Sequence, residues 1–247
     1  MSVIKIGQVF KTNGGVDCVV IQYENYTNVT VKFLDEHEFT TKITARNLRC
    51  GEVKNLYCPS VLGIGYIGCG EYPQTEGGKL TKIYRDWYNM IKRSYCPKLH
   101  DFAPTYIGCS VHPDWHNFQI FAKWYTDNPY SNLGYQLDKD ILVKGNKVYS
   151  PNTCCFVPRE INSLFCNSAR TRGEYPVGVS YRKNSGKFFV RLKYFGVEKS
   201  LGYFKTPEEA SAAYVIAKES YVKEVALDWK DKIEPKVFEA LMNWTVY

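Results

Sequence analysis

The stretch YPVGVSYRKNSGKFFVRLKYFGVEKSLGYF, residues 175–204, decides how the C-terminal third of this chain folds. It reads as three short strands with turns at Lys183-Asn184-Ser185-Gly186 and Phe195-Gly196, because turn formers punctuate runs rich in Val, Phe and Tyr. Side chains alternate across a strand. In the middle run Phe188, Val190 and Leu192 therefore share one face, and Lys187, Phe189, Arg191 and Lys193 share the other. The first set is expected to pack inward. The second leaves a cationic surface with one aromatic ring in it.

Working outward, the charge proves to be local. The 247 residues hold 32 Lys and Arg against 25 Asp and Glu, a net +7. Between residues 170 and 205 nine cations, beginning with Arg170 and Arg172, face only Glu174 and Glu198, an excess equal to that of the whole chain. Such a sheet can lie in a DNA major groove, with some cations on phosphates and some arginines on guanine edges. The residues also allow a plainer reading, a charged edge that resists aggregation. Next comes TPEEASAAYVIAKESYVKE, residues 206–224, which the spacing makes a helix. Thr206 can cap it with Glu209 three positions on, and Pro207 takes its first position. Its stripe of Ala210, Ala213, Tyr214 and Ala217 suits the apolar side of the sheet. A second, shorter helix is expected after Pro235.

Gly178-Val179, Arg182, Gly186-Lys187-Phe188, Leu201-Gly202, Phe204, Thr206, Glu208-Glu209-Ala210 and Ala212-Ala213-Tyr214 together resemble an AP2-type DNA-binding domain, in order, over about 50 residues. The resemblance implies that the three-stranded sheet reads DNA while the helix braces its back. It places contacts on Ser180 and Arg182 of the first strand, on Arg191 and Lys193 of the second, and on Ser200 of the third; Lys187, on the same cationic face, joins the candidate DNA-binding set. Ser185 and Ser200 stand where plant members carry tryptophan, and Arg191 replaces an acid. The plant target sequence is therefore not carried over.

Upstream, LDKDILVKGNKVYSPNTCCFVPREIN, residues 137–162, reads as strand, turn, strand and helix start. Preceding helices come from KIYRDWYNMIKRSY, with Tyr84, Trp87, Tyr88 and Ile91 on one stripe, and from PDWHNFQIFAKWYTD, with Trp115, Phe118, Phe121, Ala122 and Tyr125 on another. YRDWYNMIKRSY, VHPDWHNFQIFAKW, GYQLDKDIL and GNKVYSPNTCCFVPREIN resemble, in order, the phage-encoded HNH (ββα-metal) homing endonucleases. That family uses a histidine base, an orienting amide and metal ligands from strand and helix. Carried over singly, metal binding falls on Asp138 and Asn162, the base on Lys139 and the orienting group on Thr153. Another register puts Asp138 at the base position and Asp140 two residues on. No histidine stands at the base position, and a lysine serves as a base only under strong desolvation. Cys154 and Cys155 read as packing residues. Two outcomes stay open: Mg²⁺- or Mn²⁺-dependent cleavage, or a frame kept for docking.

Residues 1–65 read as short strands, with Val29, Val31 and Phe33 on one face and turns at Asn13-Gly14-Gly15 and Asn25-Tyr26-Thr27-Asn28. A small closed barrel of SH3-like type would hide their edges. LGIGYIGCGEYPQTEGG, residues 62–78, reads as a boundary and has no phosphate-loop signature. The nine cysteines include no Cys-x-x-Cys pair, although Cys109, His112 and His116, with Cys96, have a spacing that zinc could use.

The expected protein is thus α+β in three modules: a small β-barrel at 1–65, helices with an HNH-like ββα unit at 80–168, and an AP2-like sheet with helix at 170–247. The implied function is that of a phage site-specific DNA-binding protein of homing-endonuclease type, cutting double-stranded DNA with Mg²⁺ or Mn²⁺ if active. The alternative is a catalytically dead scaffold that binds DNA or a host protein as a regulatory or counter-defence factor. An RNA-binding role is a third reading, since neither the barrel type nor the basic sheet is exclusive to DNA. No secretory signal or membrane span is read. The resemblance places the protein in the cytoplasm of an infected bacterium.

Overall fold

The computed structural model describes residues 3–165 and 174–246. Arg170, Arg172 and Cys166 lie outside these described residues. The chain is a mixed α+β protein of two compact units, Met1–Asp127 and Asn128–Tyr247. The division falls inside the 80–168 segment that the sequence suggests as one module.

In the first unit, strands Val9–Phe10, Cys18–Asn25, Asn28–Phe33 and Thr40–Ile43 form an antiparallel meander in sequence order. Val29, Val31 and Phe33 all point inward and are fully buried, as their alternation predicts. The Asn25–Asn28 turn also forms where expected, with Asn25 Oδ1 accepting from the Thr27 backbone N–H at 2.9 Å. The expected barrel is not found, because none of the sheets closes among the described residues. The physical reason is that other elements seal the sheet's apolar face. A short helix, Ala45–Arg49, capped by Thr44, lays Ala45 and Leu48 on it, and Val53 and Ile4 complete the core. The outer strands stay short, which limits the unpaired edge.

The glycine-rich passage is packed within this unit. Val61 bridges Gly65, and Tyr66 bridges Asn117 at the entry to the Phe118–Asp127 helix. A Cβ on Gly65 would stand 2.9 Å from the Trp87 ring. Glycine is required there because backbone lies directly on an aromatic side chain. Trp87 donates from its indole N–H to the Trp115 carbonyl at 2.7 Å. On the Lys82–Tyr95 helix, Trp87, Met90 and Ile91 are buried, whereas Tyr88 is exposed. The predicted stripe was thus one position too wide. The second stripe, from Trp115 through Tyr125, is buried throughout.

In the second unit, strand Gln136–Asp138 pairs antiparallel with Cys155–Val157, and helix Arg159–Leu164 follows. Strands Val179–Arg182, Lys187–Tyr194 and Val197–Phe204 form an antiparallel sheet with Lys187–Tyr194 at its centre. The Pro207–Asp228 helix has the full Thr206/Glu209 capping box, and Pro235–Met242 forms the shorter helix. One core unites these parts: Val157 and Ile161 from the ββα unit, Leu192 from the sheet, Val222 and Val225 from the long helix, and Val237 from the last.

Candidate nucleic-acid interface

The middle strand of the C-terminal sheet behaves as its alternation predicts. Val190 and Leu192 are buried, and Lys187, Arg191 and Lys193 are exposed. Directly opposed residues on antiparallel strands share a face. The register opposes Ser180 to Phe189, Arg182 to Lys187, Arg191 to Ser200, and Lys193 to Glu198. Ser180, Arg182, Lys187, Arg191, Lys193 and Ser200 therefore all lie on the outer face. The two hairpin turns hold this arrangement. Phe195 and Gly196 both adopt positive φ, at 44° and 84°, as a tight two-residue turn requires. The Phe195 backbone N–H donates to Tyr221 Oη at 2.8 Å, which offsets the strain at a non-glycine residue.

Sequence reasoning missed two members of this face. A bulge between Val190 and Arg191 on the central strand's register skips Leu201 of the third strand. Beyond it Tyr203, not Phe204, opposes Phe189 and faces outward. The Phe189 ring lies 4.9 Å from the Tyr203 ring, and the Arg182 guanidinium stands 4.9 Å from the Phe189 centroid. The stacked ring restrains Arg182 in a cation–π contact. Glu198 is the second omission. Its Oε2 accepts from Arg191 Nη1 at 3.2 Å, diagonally across the strands. Gly202 within the third strand is a sequence signal that could have marked the bulge, and in the structure it takes φ 116°. Lys199 belongs to the other face, 4.8 Å from the Tyr194 ring centroid.

The ββα unit has the backbone that the sequence suggests, but its chemical positions have structural partners. Asp138 Oδ1 accepts from the backbone N–H groups of Asp140 at 2.7 Å and Ile141 at 2.8 Å. Burial raises its pKa above the usual carboxylate value, and those two N–H groups oppose the rise. Lys139 is buried, with 5% of its surface exposed. Its ammonium donates to Asp140 Oδ1 and, at 3.0 Å, to the Asn146 carbonyl. Asn146 Nδ2 donates back to the Lys139 carbonyl at 2.8 Å, which closes the loop. Thr153 Oγ1 donates to the Val148 carbonyl at 2.7 Å and shares a 2.8 Å bond with Ser150 Oγ. Asn162 Nδ2 donates to Gln136 Oε1 at 2.8 Å. Asp138 and Asn162 thus each meet a different partner.

These residues fit a divalent cation poorly, because the Lys139 ammonium already supplies positive charge beside Asp138 and Asp140. Burial pushes the Cys154 thiol up to about 12 and raises Cys155 as well. Both are protonated packing groups at neutral pH rather than nucleophiles. Among the described residues no three His, Cys, Asp or Glu side chains are grouped to hold an ion. His112 instead faces Asp114 at 3.6 Å, and His116 lies 3.4 Å from Tyr95 Oη. Burial lowers the His116 pKa. No described helix is long and apolar enough to cross a membrane.

No family model, curated protein or solved structure matches this chain.

Proposed function

We propose that this protein binds double-stranded DNA through the outer face of its C-terminal sheet, and that the ββα unit is a scaffold without cleavage chemistry. The observation that carries the reading is the shared face of Ser180, Arg182, Lys187, Arg191, Lys193 and Ser200. The outer strands of a three-stranded sheet lie about 10 Å apart, comparable with a major-groove width of about 12 Å. Its outward lysines on the central strand can reach phosphates while Arg182 and Arg191 meet base edges. Support for the scaffold half comes from Lys139 and Thr153, which hold loops where a nuclease needs a base and its orienting group. The resemblance to phage homing endonucleases fits a bacteriophage protein acting in the cytoplasm of its host. A host protein is then a second kind of partner for the ββα unit.

Duplex binding by fluorescence anisotropy tests the first half. Wild-type protein is expected to bind at low salt, and the Arg182→Ala/Lys193→Ala variant to bind at least ten-fold more weakly. Equal affinity for both proteins overturns the reading. A supercoiled plasmid with Mg²⁺ or Mn²⁺ tests the second half. It is expected to stay intact, whereas nicking that Asp138→Ala and Asn162→Ala abolish would restore a nuclease.

A further inference from the structure

Glu198 is an anion beside the cations Arg191 and Lys193, at the hairpin end of the sheet's third strand, and general phosphate attraction does not call for it. Its direct cross-strand neighbour is Lys193, yet its carboxylate meets Arg191 Nη1 at 3.2 Å on the diagonal. Both side chains remain more than half exposed, at 55% for Arg191 and 64% for Glu198. An exposed pair of this kind adds little to stability. It does, however, fix a definite order of hydrogen-bonding groups on the outer surface. A guanidinium has five N–H donors in a planar fork. With one turned to Glu198, the fork keeps donors for a partner beyond the protein. The carboxylate keeps its second oxygen as an acceptor. The pair therefore presents two donors followed by an acceptor.

In the major groove a G·C pair offers the complementary order: N7 and O6 of guanine accept, and N4 of cytosine donates. An A·T pair offers acceptor, donor and acceptor, and so mismatches at its second position, facing Arg191, and at its third, where thymine O4 meets the Glu198 carboxylate. We infer that Arg191 and Glu198 act as one unit that reads a single G·C pair, with Arg191 on guanine and Glu198 on the cytosine amino group. The inference rests on the duplex-binding reading above and adds a sequence requirement to it. Glu198 repels phosphate, so it weakens binding everywhere except where a cytosine amino group meets it.

The test uses the full chain. Preferred sites are first selected from a randomised duplex library, and each G·C position is then exchanged for A·T in turn. Wild-type protein is expected to lose about 10- to 100-fold at one such position. Glu198→Ala, which removes the acceptor, is expected to lose most of that discrimination and to bind unselected duplex more tightly, because a charge that repels phosphate is gone. Thermal unfolding of both proteins checks that the exposed substitution leaves the fold intact. If wild type binds selectively and Glu198→Ala keeps the full G·C preference, the paired reading fails while duplex binding stands. If wild type binds no duplex, both fail together.

Discussion

Gly178 lies directly beneath the Tyr214 ring, so that any Cβ at 178 would collide with Cδ2 and Cε2 of that ring. Gly178 also holds φ at 80°, a left-handed conformation that L side chains avoid. This contact joins the start of the sheet's first strand to the long helix behind it. Gly178→Ala is therefore expected to destabilise the chain by about 2–4 kcal/mol, from overpacking and backbone strain together. In a Tyr214→Ala background the same change should cost only about 1–2 kcal/mol, since the ring is gone and the strain remains. Urea denaturation of the four proteins measures the difference.

Lys187 and Lys193 make no ion pair with another described residue. If they track phosphates, each alanine substitution should reduce the slope of log Kobs against log salt by about 0.9, uniformly across duplex sequences. Arg182→Lys should behave differently. It keeps the charge and therefore the slope, but loses the planar fork held against Phe189, so discrimination among sites should fall. A salt titration of each variant on two unrelated duplexes separates the two behaviours.

Lys139 closes its loop through Asp140 and Asn146. Lys139→Met keeps the aliphatic stem and removes the ammonium. It is expected to destabilise by about 1–2 kcal/mol, from one lost carbonyl hydrogen bond and one ion pair. Solvent at the half-exposed Asp140 keeps the loss below the roughly 3–5 kcal/mol of a fully buried pair. Denaturant midpoints with an unchanged m-value would show a pure stability effect. No change in midpoint would remove the structural role assigned to this lysine.

Asp138 makes a pH prediction. Burial raises its folded-state pKa above 3.8, so between those two values the native state binds more protons than the unfolded chain. Its contribution to stability therefore decreases as pH rises through that window, and is flat on either side. Asp138→Asn keeps an oxygen for the Asp140 and Ile141 N–H groups and removes the charge. Its stability minus that of wild type should grow with pH across the window. Chemical denaturation in steps from pH 4 upward checks the sign, and a difference independent of pH would be the contrary result.

What the chain's residues settled by themselves was everything governed by near neighbours. The Thr206/Glu209 capping box, the Phe195-Gly196 turn, the inward set Val190 and Leu192, and the buried set Val29, Val31 and Phe33 follow from spacing and local hydrogen bonding. Three matters waited on tertiary structure. Period-two counting from Ser200 points Phe204 outward, but the bulge at Leu201 reverses parity and presents Tyr203 instead. Closure of the N-terminal sheet depended on whether a short helix or the sheet itself would cover Val29 and Val31. Lys139 could serve as base or as clamp until the loop carrying Asn146 folded back to its ammonium. Each of these turns on contacts made between separate elements, on the path of a loop, or on one inserted residue, which alternation and spacing do not encode.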